Sequence, residues 1–182
     1  MEIPTLETAR LRLRPYRLDD FAALAERWAH PEVVRHIGGA PSSPEESWTR
    51  LLKQVGHWQL LGFGYWAVEE KASGLCVGDV GFAEHKRAMT PSIDGLPELG
   101  WVLAPAAHGK GFATEAARAA LAWLDADGRF ARSVCIIKPE NAASIRVAEK
   151  LGFREWCRTA YKDKPTLLFS REKERPGSQA SA

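Results

Sequence analysis

The chain has 182 residues, of which 45% are hydrophobic, 26% charged and 9% aromatic, a balance that fits one globular domain long enough to bury a core. Lys and Arg total 25 against 23 Asp and Glu, so the formal net charge is only +2. That excludes a global basic grip on nucleic acid, and an anionic ligand must be held by a local site. Cys76, Cys135 and Cys157 lie far apart without metal-ligand spacing, which argues for reduced thiols and against a disulfide framework or a metal centre. The first 14 residues lack a signal-peptide pattern, and the longest stretch free of Asp, Glu, Lys and Arg, Gln54 to Val68, is too short to span a bilayer. A cytoplasmic protein with no membrane and no nucleic-acid partner is expected.

Leu11, Leu13 and Pro15 alternate with Arg10, Arg12 and Arg14, which reads as a strand with one buried face and a solvated Arg face. Asp19 or Asp20 opens a helix to about Trp28, broken at His30-Pro31, and a short helix over Glu32 to Ile37 is ended by Gly38-Gly39. Ser43 is the expected N-cap of a helix to about Leu60, with Glu45 and Glu46 in its first turn. Phe63 to Glu69 and Leu75 to Ala83 read as strands joined by a turn, and Glu98 to Leu103 as another after a Pro- and Gly-marked loop. Gly111 to Asp127 is an Ala-rich helix stopped by Gly128. A buried strand over Ser133 to Lys138, a helix over Ala142 to Leu151, and strands over Phe153 to Tyr161 and Thr166 to Ser170 follow. The expectation is an α/β (α+β) domain over residues 1–171 with a central mixed, mostly antiparallel sheet of about seven strands, helices on both faces, and a flexible tail over 172–182.

The segment that carries chemistry joins the Glu98 to Leu103 strand to the Ala-rich helix. Pro105 ends the strand, and His108-Gly109-Lys110-Gly111 leads directly into the helix. Glycines permit close backbone approach, and the free N–H groups and dipole of a helix start favour phosphate. Two familiar phosphate patterns fail: the first Gly of a Walker loop would fall at Ala104, and the sixth position of the dinucleotide fingerprint holds Thr114. The residues alone give a phosphate cradle of unspecified type, with a plain Gly-capped connection as the alternative.

His108-Gly109-Lys110-Gly111-Phe112-Ala113 resembles the pyrophosphate loop of the GCN5-related N-acetyltransferase (GNAT) superfamily, written Q/R-x-x-G-x-G/A. The run from Pro139 through Asn141, Ser144 and Ala148 to Phe153 is similar to the family's second signature, and Leu6 to Pro15 to the opening of the branch of ribosomal-protein N-terminal acetyltransferases. The resemblance covers about residues 6 to 171. His108 stands where the family has Gln or Arg.

The resemblance implies acetyl-CoA as co-substrate and no metal. It places Val102, Leu103, His108, Gly109, Lys110, Gly111, Phe112, Ala113, Thr114, Asn141 and Ser144 at the coenzyme, with the diphosphate on the backbone amides of 109–114. The fourth and fifth strands of the sheet would splay into a V-shaped slot for the pantetheine arm. Glu98 is the expected general base, working through water, with Glu84, His85 and Asp163 as alternatives. The family's Tyr acid falls at Ala148, leaving the role vacant, and Ser144 is the substitute. Val102 N–H is the expected oxyanion donor. Asn141 is read both as helix N-cap and as a contact to the coenzyme arm. Trp48, Trp58, Tyr65, Trp66 and Trp101 are candidates to line the acceptor pocket, most of them core. The expected function is transfer of acetyl from acetyl-CoA to a primary amine, on a small molecule or a protein N-terminus. The alternatives are a non-catalytic acyl-CoA sensor of the same fold and an RNA factor using Arg10, Arg12 and Arg14. The resemblance leaves a homodimer open.

Overall fold

The structure, a computed structural model, describes residues 2–173. The elements in chain order are β1 (Leu6–Glu7), β2 (Leu11–Arg14), α1 (Phe21–Ala29), α2 (Pro31–Val34), α3 (Pro44–Leu61), β3 (Tyr65–Glu70), β4 (Cys76–Ala83), β5 (Glu98–Leu103), α4 (Phe112–Asp127), β6 (Arg132–Ile137), α5 (Ala142–Lys150), β7 (Arg154–Tyr161) and β8 (Lys164–Glu172). One sheet holds all eight strands in the order β1-β2-β3-β4-β5-β6-β8-β7. Every pairing is antiparallel except β5 with β6. The count is eight because the two-residue β1 pairs with β2, a strand too short to show a period. β8 extends through Glu172, so only Glu172 and Lys173 of the expected tail are described, and the rest lies outside the described residues.

The two faces of the sheet differ in chemistry. On one, Leu11, Leu13, Trp66, Val80, Phe82 and Leu99 bury against Phe112, Ala116, Ala117 and Ala120 of α4. The small Ala side chains let the helix lie close to the sheet, and apolar burial is the main stabilising term. On the other face Val102 packs with Leu24 and Trp28 of α1 and with Leu51 of α3, beside a polar layer. Asp79 of β4 is fully buried and bonds Arg27 of α1 at 2.9 Å and the Tyr16 hydroxyl at 3.1 Å. α3 begins with a reciprocal cap: Ser43 Oγ accepts from Glu46 N–H while Ser43 N–H donates to the Glu46 carboxylate. It ends at Gly62 in the left-handed conformation (φ 71°).

The Arg row at β2 is solvated at Arg10 and Arg12 but buried at Arg14, and all three are paired. Arg10 pairs with Glu115, Arg12 with Glu7 and Glu69, and Arg14 is buried between Asp20 and Glu69. Each guanidinium is matched to carboxylates of this chain, which removes the sequence basis for an RNA grip there. No helix of the described residues is long and apolar enough to cross a membrane.

Candidate functional site

The sheet opens at β5. This strand pairs with β4 along its whole length, from Ala83↔Glu98 to Gly78↔Leu103. Its pairing with β6 is confined to Glu98↔Val134, where Val134 N–H donates to the Pro97 carbonyl at 3.1 Å. β6 is paired with β8 along its whole length, and beyond the bridge no pair joins it to β5, which leaves a slot between the two strands.

The ladder decides which amides face the slot. Ala104 N–H donates to the Val77 carbonyl at 2.8 Å, and backbone direction alternates along a strand, so Val102, Gly100 and Glu98 turn their backbone groups toward β4. Trp101 and Leu103 turn theirs into the slot. The expectation that Val102 N–H faces the reacting carbonyl is therefore corrected: that amide belongs to the β4–β5 ladder, and the Val102 side chain packs on α1.

The loop after β5 is open to solvent and built by three anchors. Ala107 and Phe112 are buried on either side of it, while residues 108–111 are exposed. The His108 Nε2 bonds the Leu103 carbonyl at 3.0 Å, holding the loop against the strand it leaves. Arg10 reaches across from the N-terminal hairpin, donates to the Lys110 carbonyl at 2.9 Å, lies over the Phe112 ring and binds the Glu115 carboxylate. Gly109 and Gly111 sit at φ 74° and 79°, the left-handed region that disfavours side chains. The first intrahelical bond of α4 is Glu115 N–H to the Gly111 carbonyl. Among the described residues, the amides of Gly109, Lys110, Gly111, Phe112, Ala113 and Thr114 donate to no protein acceptor. Consecutive free N–H groups at a helix start make an anion cradle. His108 takes the position of the family's Gln or Arg as a side-chain prop and leaves the amides free.

Across the slot, Asn141 caps α5: its Oδ1 accepts from Ser144 N–H at 3.1 Å. Its amide NH₂ stays available. Ser144 is half-buried, and its hydroxyl forms no hydrogen bond within the protein among the described residues. Ala148 is fully buried in the core and carries no acidic group, so the role of the family's Tyr stays vacant there.

At the far end of β5, Glu98 is 6% exposed and gripped in parallel by Arg87, with Nε at 2.6 Å and Nη2 at 2.7 Å from its two oxygens. Arg87 in turn stacks over Tyr161, so the β7–β8 hairpin leans on this pair. Asp163 occupies that hairpin's turn at φ 58°. Glu84 is tied to Lys86 and to Gly95 N–H, and its carboxyl lies below the usual range chiefly because of the Lys86 ammonium. His85 accepts at Nδ1 from the Lys53 ammonium at 3.1 Å. Burial first, then the charges of Arg87, Lys53 and His57, push its pKa down to about 3. With its lone pair engaged and its basicity so low, His85 is a poor proton acceptor at neutral pH.

Tyr65, named from sequence as a pocket candidate, lies here on a glycine pair that the sequence did not foretell. Gly81 of β4 and Gly100 of β5 face each other, and the Tyr65 side chain from β3 lies across them. A Cβ on Gly100 would stand 1.9 Å from the Tyr65 hydroxyl. Tyr65 thus reaches the middle of β5, and burial pushes its phenol pKa upward. Trp58 and Trp66 are core, stacked edge-on with each other and with Trp123, and half-buried Trp101 packs on the same core. Trp48 is 39% exposed and packs on Phe21.

Residues 10–154 match the family model described as an acetyltransferase (GNAT) domain. The uncharacterized protein YkkB of Bacillus subtilis is 30% identical over 173 residues, covering 92% of this chain and 95% of its own. A GnaT-family acetyltransferase structure from Bordetella pertussis superposes with a TM-score of 0.82 at 31% identity, covering 93% of this chain and 99% of that one. The ribosomal L7/L12 alpha-N-protein acetyltransferase RimL, solved in complex with coenzyme A, shares the fold with a TM-score of 0.76 at 16% identity, covering 93% and 98%.

Proposed function

This chain belongs to the GNAT acetyltransferase family, and from that premise we propose that it moves an acetyl group from acetyl-CoA directly to a primary amine, on a small molecule or a protein N-terminus. The observation that carries the reading is the run of six unpaired amides from Gly109 to Thr114, which opens in an exposed loop and closes in the first turn of α4, at the end of the strand that borders the slot. Two left-handed glycines, the Arg10 hold on Lys110 and the α4 dipole suit it to a diphosphate. The thioester supplies an activated acetyl group.

The chain's own groups then divide the remaining tasks. The slot-facing backbone of Trp101 and Leu103 would pair with the extended coenzyme arm as an added strand does. The Trp101 or Leu103 N–H, in place of Val102, would steady negative charge developing on the carbonyl oxygen. Asn141, through the amide not used in capping, and Lys110, by its charge, would orient the coenzyme. Glu98 would accept the amine proton through water; a carboxylate has two acceptor sites per oxygen, and Arg87 occupies one on each. The unpaired Ser144 hydroxyl would donate toward the departing sulfur. Glu84 and His85 fit the base role less well, since one is bound to Lys86 and Gly95 and the other resists protonation.

Calorimetry with coenzyme A and thiol release from acetyl-CoA over an amine panel test the reading together. Micromolar binding with release for at least one amine is expected. Tight binding with no release for any amine would leave the acyl-CoA sensor as the better account, and no binding would end both.

A further inference from the structure

The acceptor end of the slot carries more positive charge than the protein neutralises. The capped start of α3 fixes the helix phase so that Leu51, Gln54 and Trp58 are buried. Arg50 and Lys53, three residues apart, then share one side of it. Arg50 lies over the Trp28 ring at 3.5 Å with one bond to Ser42 Oγ at 3.3 Å, and its buried Nε has no partner. Lys53 donates to His85 Nδ1, an imidazole that stays neutral. Among the described residues neither cation has a carboxylate within ion-pair distance. Asp79 and Glu46 act on Arg50 only at longer range, and both are engaged, by Arg27 and by the α3 cap.

The nearby Glu98 does not supply the missing charge, because Arg87 already binds both its oxygens. Burial, then repulsion from Arg87 and Arg50, holds the Lys53 pKa below its ordinary value. Three cations therefore meet beside one committed carboxylate. Like charges gathered in a partly desolvated place cost free energy unless an anion joins them.

We propose that the acceptor is an amine that also bears a carboxylate, seated on Arg50 and Lys53 with its amino group toward Glu98. This deepens the transferase reading and rests on it. The same carboxylate chemistry has two sources, the α-carboxylate of a free amino acid or an acidic side chain next to a peptide's N-terminal amine. Arg50, held flat on Trp28, offers a planar fork for it, and Lys53 a mobile point charge.

The test measures KM by thiol release for amino acids against their carboxamides, and for Gly-Glu against Gly-Gln peptides with amidated C-termini. In one arm the acid form should show a KM about tenfold lower, the size of one charge-assisted contact. The arm that shows it identifies the source. Lys53→Met should collapse the acid-to-amide ratio toward one, and Lys53→Glu should invert it, while calorimetric affinity for coenzyme A stays at the wild-type value. Equal KM values for acids and amides in both arms, or a ratio indifferent to Lys53→Met, would overturn the proposal and leave the transferase standing. No release from any amine by a protein that binds coenzyme A would instead overturn the transferase reading, and this proposal with it.

Discussion

At the scale of single residues the site depends on positions where a side chain is either forbidden or held. Gly111 has φ 79°, and a Cβ there meets only Arg10 Nη2 at 3.5 Å, so the obstacle to substitution is backbone conformation and charge, not space. Gly111→Asp should raise the coenzyme A Kd at least tenfold in calorimetry, since its carboxylate repels phosphate and draws Arg10 from the Lys110 carbonyl. Gly109→Ala, also left-handed but with nothing within 4 Å, should cost only about 1 kcal/mol of conformational strain. Arg87→Met should lower stability by about 3 kcal/mol, because Glu98 would be left buried and unpaired. The double variant with Glu98→Gln should recover much of that loss in a denaturant melt. An additive double variant would contradict the account.

At the scale of elements, what the sequence made legible were the features that repeat locally. The period of β2, the Ser43 cap, the Gly128 stop and the bounds of β5 follow from neighbours a few residues apart. The Gly-rich loop before α4 was legible for the same reason, as a contiguous strand–glycine–helix run. Partners brought together by the fold were not. Arg87 and Glu98 meet across a loop, Arg10 reaches Glu115 from 105 residues away, and Tyr65 finds Gly100 only because a third strand lies between them. Which β5 amides face the slot is a matter of register, which no composition reveals. Two predictions belong here. Ser43→Ala should cost about 1 kcal/mol by thermal melt through loss of the α3 cap. Arg10→Met, by freeing the loop from the N-terminal hairpin, should weaken coenzyme A binding several-fold while the acceptor KM moves little. A wild-type Kd in that variant would refute the clamp.

At the scale of the molecule the charges make the fold acid-sensitive in two stages. His85 has its folded pKa pushed down to about 3 from an ordinary 6.5, first by burial and then by Arg87, Lys53 and His57. Between those values the unfolded chain binds a proton that the folded one refuses, so stability is complete above pH 6.5 and falls as pH drops toward 3. Asp20, Glu69 and Glu115 lie below their ordinary values. Burial opposes ionisation at Asp20 and Glu115 but is outweighed, at Asp20 by Arg14 and the Arg17 amide and at Glu115 by Thr8 and Arg10, while Arg14 is the chief cause at Glu69. Their contribution is present above about pH 4 and lost below it. Melting temperature should therefore decline from pH 6.5 to 5, before most carboxylates titrate, and His85→Gln should flatten that limb. A flat wild-type profile over the range would contradict the half-buried neutral imidazole.

The single bridge between Glu98 and Val134 makes the sheet two ladders joined by one rivet. Five strands stand on one side of that seam and three on the other, and the N–H groups of Trp101 and Leu103 along it lack a strand partner, as those of an outer edge do. Deuterium should enter those two amides far faster than their β4-bonded neighbours Gly100 and Val102. A molecule seated in the seam would slow that uptake by stitching the halves, so protection confined to alternate residues of one strand would report its arrival without any chemistry taking place.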